Sequence, residues 1–301
     1  MITFTPEQEE FRKSVARFVD TEVAPAAQAL DERGEFPAAL MRRIGELGWL
    51  GLRYPEKYGG ADADMTTYCL LAEELARGSL SVAAKTSGER GMKNIALFLL
   101  DRRTMRGITL GKPIDKMAVR ASATGEILLD DVEVPHAYLL GGEQGGAEKI
   151  GGILAEIRIM TAALSVGLAR AAYEAALAYS RERVAFGKPI GEHQAIGFKL
   201  ADMLAGIHAA ALMTYQAAGR LDAGRPVARE AAMAKLVASE TAVKVTDEAA
   251  RIFASYGLAM EYPVQRYFRD ARFLLPGGGT SEILRLVIGR ELDWDRGTAF
   301  C

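Results

Sequence analysis

The stretch that decides the fold is Leu200-Ala201-Asp202-Met203-Leu204-Ala205-Gly206-Ile207-His208-Ala209-Ala210-Ala211-Leu212-Met213-Thr214-Tyr215. Leu200, Leu204, Ile207, Ala211 and Tyr215 recur at steps of 4, 3, 4 and 4 residues. That is the period of one helix face, so the segment reads as a long amphipathic helix with a buried stripe. Downstream, Gly224-Arg225-Pro226 separates it from a second helix that closes at Tyr256-Gly257. Upstream, the pattern is helical from about Glu148. Long helices joined by short loops predict an antiparallel four-helix bundle over residues 148–301.

Residues 1–85 also read as helical, in shorter pieces. Thr5-Pro6-Glu7-Gln8 has capping-box spacing with proline in the first turn. Phe11, Val15, Phe18, Val19 and Val23 follow at helical period, and Pro25 is expected to end or kink that helix. A second helix is expected over 37–47, with Leu40, Ile44 and Leu47 on one face, and a third over 65–76. Between 86 and 147 the texture changes. Ile95–Leu100 reads as a buried strand, and Ile108–Leu110, Glu126–Leu129 and Val132–Val134 as further short ones. The fold class is therefore mainly α: an N-terminal helical region (1–85), a small β-domain (86–147) and the C-terminal bundle (148–301).

Composition narrows the function. Lys and Arg number 37 against 39 Asp and Glu, a balance that argues against a dedicated nucleic-acid binder. Half the residues are apolar and a quarter charged, which fits a globular chain rather than a disordered one. No 18 uninterrupted apolar residues occur, so no membrane-spanning helix is expected. The N-terminus lacks a basic stretch followed by an apolar one, so no secretion signal is read. Cys69, Cys301 and three histidines predict neither a disulfide framework nor a metal centre. The expected setting is cytoplasmic, with no membrane and no nucleic-acid partner.

Four blocks carry a resemblance. The first is Lys116-Met117-Ala118-Val119-Arg120-Ala121-Ser122, with Asp130–Pro135 and Leu139-Leu140-Gly141 behind it. The second is Arg181-Glu182-Arg183-Val184-Ala185-Phe186-Gly187-Lys188-Pro189-Ile190, followed by Gln194-Ala195-Ile196. The third is Glu261–Arg266 with Arg269-Asp270-Ala271, and the fourth Gly279-Thr280-Ser281-Glu282-Ile283. In this order and spacing they resemble the acyl-CoA dehydrogenase family over nearly the whole chain. The resemblance implies FAD, an acyl-CoA thioester substrate and α,β-dehydrogenation. A carboxylate takes the α-proton and the β-hydrogen leaves as hydride to flavin N5. It also implies a homodimer or homotetramer, with an electron-transfer flavoprotein or another acceptor downstream.

The resemblance assigns roles residue by residue. Arg183 matches an arginine that reaches the FAD diphosphate of a neighbouring subunit, a task a guanidinium fork suits. Phe186 and Gln194 match positions at the adenosine half; taken alone they read as a core aromatic and an exposed amide. Thr280 and Glu282 open the last helix after Gly277-Gly278-Gly279, where N–H groups and the helix dipole favour an anion. The family places the threonine near FAD. Arg158 matches an arginine at the substrate and flavin face; taken alone it reads as a salt-bridge partner.

Three departures stand out. The family's base, a glutamate directly before the Gly-Thr of the fourth block, is here Gly278. Some members carry a base on the first bundle helix; that position is Ile157, and its neighbour Glu156 is the candidate base, about 100° of rotation away. The family's glutamine and glycine pair at the diphosphate become Arg251 and Ala254-Ser255, where Arg251 still suits a diphosphate. Lastly, between Leu80–Ala84 and Thr86–Lys93 the family has roughly 80 further residues, most of a small domain. That stretch carries the strands that hold the flavin ring. The expected function is an FAD-dependent acyl-CoA dehydrogenase-like oxidoreductase. The alternative is a degenerate, non-catalytic homologue acting as an FAD-binding or assembly subunit.

Overall fold

The computed structural model describes residues 2–79, 97–140 and 146–290. The junction between Leu80–Ala84 and Thr86–Lys93 lies outside them, as do Ile95, Gly141 and Cys301. Four shorter helices lead: α1 (Pro6–Phe18), α2 (Ala24–Arg33), α3 (Ala38–Glu46) and α4 (Met65–Gly78). Strands β1 (Leu97–Phe98), β2 (Ile108–Pro113), β3 (Gly125–Leu129) and β4 (Leu139–Leu140) follow. The rest is α5 (Gly146–Glu182), β5 (Val184–Ala185), β6 (Lys188–Pro189), α6 (Gln194–Asp222), α7 (Ala228–Ile252), α8 (Pro263–Leu274) and α9 (Ser281–Arg290).

The capping box of α1 forms as expected: Gln8 N–H donates to Thr5 Oγ1 and Thr5 N–H to Gln8 Oε1. Pro25 does not stop the chain from being helical. A π-helical turn over Val19–Val23 comes first, and Pro25 then falls in the first turn of α2. There its missing N–H costs nothing. Val15, Phe18, Val19 and Val23 are buried with Trp49, Leu71 and Leu75 in a first core. The larger core lies between α4, α5, α6, α7 and α8, around residues such as Ile159, Leu164, Leu168, Ile207 and Leu274.

Buried charge ties the N-terminal helices to the bundle. On α4, Glu73 and Glu74 are buried and meet Arg12 of α1 and Arg170 of α5. Glu73 Oε2 also accepts from the Tyr215 hydroxyl of α6 at 2.6 Å. Breaking such a pair costs more than making it gains, because the remaining charge stays buried.

The stripe expected on α6 holds at Leu200, Ile207 and Tyr215, which are buried, but not at Leu204. Met203, Ile207, Ala210 and Thr214 face the core, whereas Leu204 is exposed. Phe198, Leu204 and Leu212 form a second apolar face on the outside. By length and hydropathy alone α5 and α6 are each long and apolar enough to cross a membrane. In α5 that apolarity is core packing, since 72% of the apolar window is buried; in α6 only 17% is.

The β region is smaller than expected. Its strands form separate two-stranded pairings, β1 with β4 and β2 with β3. Leu97–Phe98 is a two-residue strand, and Phe98, Leu99 and Leu100 are exposed rather than buried. Val132–Val134 forms no strand; Leu139–Leu140 takes that part against β1. Every residue of β3 is exposed, so the hairpin covers nothing and is covered by nothing among the described residues.

Candidate functional site

Helix α5 links two functional features. At its C-terminal end, β5 and β6 make a tight hairpin with Phe186-Gly187 at the tip. Both tip residues have positive φ, +54° and +81°. That pairing matches the twist of a hairpin, but only glycine takes it freely. For Phe186 it costs roughly 1–2 kcal/mol. The Phe186 ring is 96% exposed and stands edge-on to His193. It rims a cleft of about 480 Å³ lined also by Arg183, Arg251, Ala254 and Tyr256. Ala254, on the opposite wall, has φ +52°. Two left-handed non-glycine residues thus line one cleft, and such strain collects at binding sites.

Arg183 is exposed in this cleft, and no acceptor among the described residues holds its guanidinium. Arg251 is already engaged, by Asp247 at 2.9 Å and Glu248 at 3.7 Å. Gln194 begins α6 beside the cleft and is exposed, but does not line it.

The second feature is the turn between α8 and α9, which packs on the middle of α5. Gly278 has φ +72°. A Cβ there would lie 3.2 Å from Thr161 Oγ1 and 3.5 Å from Ile157 Cγ2. The position where the family carries its base therefore faces the Ile157–Thr161 turn of α5. Arg158 is 8% exposed, and its Nε donates to the Gly278 carbonyl at 3.3 Å. Burial lowers its pKa, and no carboxylate among the described residues offsets this. Glu156 points elsewhere: it pairs with Arg53 at 3.2 Å and lines a separate cavity of about 490 Å³ with Arg220, Arg225 and Arg229. One residue of helix rotation separates the two directions.

Thr280 Oγ1 accepts from the Ile283 N–H at 3.4 Å, the expected N-cap role. The exposed Glu282 carboxyl is held below its ordinary pKa by its own backbone N–H and the Thr280 hydroxyl. The structure brings Arg183, Phe186 and Arg251 together, and separately Arg158, Gly278 and Thr280. Arg158 on α5 and Arg183 just past its end are 25 residues apart, about 37 Å along the helix axis at 1.5 Å per residue. Sequence reading missed Lys235, fully buried under the turn; its one signal is a lone cation within the alanine-rich Ala231–Ala238. Among the described residues no cluster suits a metal ion.

The models of the acyl-CoA dehydrogenase N-terminal and C-terminal domains match residues 5–98 and 144–292. The benzylmalonyl-CoA dehydrogenase of Aromatoleum aromaticum is 39% identical, over 96% of this chain and 98% of its own. That alignment runs over 371 positions against 301 residues here, so at least 70 positions of the comparison have no residue in this chain. This agrees with an internal deletion. Butyryl-CoA dehydrogenase from Megasphaera elsdenii superposes with a TM-score of 0.91 at 30% identity, covering 96% of this chain and 99% of its own. A glutaryl-CoA dehydrogenase in complex with glutaryl-CoA gives 0.88 at 29%, covering 96% and 95%. Fold, motifs and near end-to-end relatives agree: the chain belongs to the acyl-CoA dehydrogenase family, whose members are FAD flavoproteins.

Proposed function

We propose that the protein is an FAD-dependent oxidoreductase acting on an acyl-CoA thioester, working as a homodimer or homotetramer. The observation that carries this is the cleft at the end of α5. It offers an unpaired guanidinium at Arg183, an exposed ring at Phe186 and a left-handed backbone on each wall. These fit a diphosphate and an adenine: the fork of arginine for the one, the aromatic face for the other. Arg251 adds a second cation once a diphosphate displaces its carboxylate partners. Thr280 and Glu282 belong to the other feature, about 37 Å along α5. One FAD touched by both sets needs two copies of the chain, and the outward apolar face of α6 is where copies would pack.

Bound FAD supplies the hydride acceptor; electrons then pass to an electron-transfer flavoprotein or another acceptor. The chain must provide for the α-carbon without a carboxylate at Gly278. A thioester that brings its own α-carboxylate removes that need. The carboxylate leaves as CO2, and its C–C electron pair becomes the enolate pair that a proton abstraction would have produced. Arg158, buried and with no carboxylate partner among the described residues, is the group that would orient such a substrate. The names benzylmalonyl-CoA and glutaryl-CoA, borne by substrates of relatives, both describe thioesters with a second carboxylate.

The test is an anaerobic visible spectrum of the FAD-loaded protein with plain and α-carboxylated acyl-CoA esters. Bleaching with CO2 release from the carboxylated ester alone is expected, unchanged in Glu156→Gln. Equal bleaching by plain esters, abolished in Glu156→Gln, would restore Glu156 as the base. A yellow protein that no ester bleaches would make it a non-catalytic FAD-binding subunit.

A further inference from the structure

Lys235 lies in the middle of α7 with none of its surface exposed. Its Nζ donates to the carbonyls of Leu275 at 2.7 Å and Gly279 at 2.8 Å. Those residues flank Pro276, Gly277 and Gly278. Between them, Arg158 holds the Gly278 carbonyl from α5. Two buried cations therefore fix three carbonyls of one short turn. The two remaining glycine contacts are local, Gly277 N–H to Phe273 O and Gly279 N–H to Pro276 O. With these three carbonyls drawn inward, Thr280 and the first-turn N–H groups of α9 are left at the open end of the turn.

An ammonium in this place is costly. Burial lowers the Lys235 pKa to about 8, with Glu240 and Glu282 opposing the shift and Arg158 adding to it. Glu240 does not bond the ammonium; it accepts from the Ser281 hydroxyl at 2.7 Å. A leucine or methionine would fill the same space without the desolvation cost. What an apolar side chain cannot do is hold two carbonyls on either side of a glycine run.

We infer that Lys235 is a positioning residue for the ligand-facing turn: by holding Leu275 and Gly279 it fixes Gly278 and Thr280 where FAD meets the chain. This rests on the proposed role of Thr280 in FAD binding. Lys235 touches no ligand itself.

The experiment titrates FAD into the full-length protein and into Lys235→Met, with far-UV circular dichroism and melting recorded on both. The expected result is a folded Lys235→Met that binds FAD about tenfold more weakly. Wild-type affinity should also fall as pH rises through 8, where the ammonium loses its charge, and this step should vanish in the variant. The pH profile needs only the wild type, so it decides the matter even where the variant does not fold. A folded Lys235→Met with wild-type affinity, or a flat wild-type profile, would overturn the inference. A wild type that takes up no FAD would overturn the parent reading, and this one with it.

Discussion

The helical bundle and the β2–β3 hairpin are opposite in how they are held. The bundle buries Ile159, Leu164 and Leu168 completely or nearly so and locks α4 to α1, α5 and α6 through Glu73 and Glu74. The hairpin keeps its ladder, yet Leu110, Ile127, Leu128 and Leu129 all face outward. A two-stranded hairpin with no covered face has little stability of its own. The same division runs through the candidate site. The cleft of Arg183, Phe186 and Ala254 is made from helix ends and the β5–β6 hairpin. On the resemblance to the family, the residues this chain lacks are strands that would hold the flavin ring. The proposed grip on the dinucleotide rests on this cleft and draws on no residue of the β2–β3 hairpin.

The contrast can be broken or sharpened by mutation. The largest effect is expected at Glu73→Ala, which leaves the buried Tyr215 hydroxyl without its acceptor and Arg12 and Arg170 with Glu74 alone. Urea unfolding should show a loss of about 3 kcal/mol; a loss under ~1 kcal/mol would mean that the ion network does not hold the helices together.

Next comes the clasp between bundle and β region. Asp270 of α8 is buried, and its Oδ1 accepts from Val119 N–H at 2.7 Å, while Arg269 donates to the Met117 carbonyl. Burial raises the Asp270 pKa to about 6, and its Oδ2 has no partner. The folded state therefore binds this proton more tightly than the unfolded chain does. The Asp270 contribution stabilises as pH falls from 7 through 6 and is fully present below about 4, worth up to about 3 kcal/mol. Asp270→Asn should remove that part of the pH dependence while keeping the bond from Val119. An unaltered stability profile between pH 4 and 7 would contradict it.

Two smaller effects follow. Ala254→Gly should raise stability by about 1 kcal/mol, because the left-handed backbone then carries no Cβ penalty. A lower melting temperature would mean the site is not strained. Ile127→Ala, on the uncovered hairpin, should change stability by less than about 0.5 kcal/mol. A loss of ~2 kcal/mol or more would reveal that something covers this face.

The sequence made local features readable. Thr5 and Gln8 announce a cap because capping depends on four consecutive residues. Long-range choices were less visible. On α6 the apolar period fits two faces, and only packing decides that Met203 turns inward and Leu204 outward. The π turn before Pro25 leaves no local signature. The motifs offered Arg183 and Phe186, Arg251 stood where the family pattern departs, and the fold brings the three to one cleft. They also offered Glu156, which a single residue of rotation carries to Arg53. Lys235 was missed because a lysine's burial depends on carbonyls some 40 residues away.

The central claim is that the bundle alone holds the FAD diphosphate, through Arg183. Equilibrium FAD binding to wild type and Arg183→Ala tests it most directly. The account predicts a yellow wild type and a variant with unchanged melting whose FAD affinity is roughly 10–100-fold weaker, as expected for a lost charge-assisted fork. Equal affinity in the two proteins, or a wild type that takes up no FAD, would contradict it.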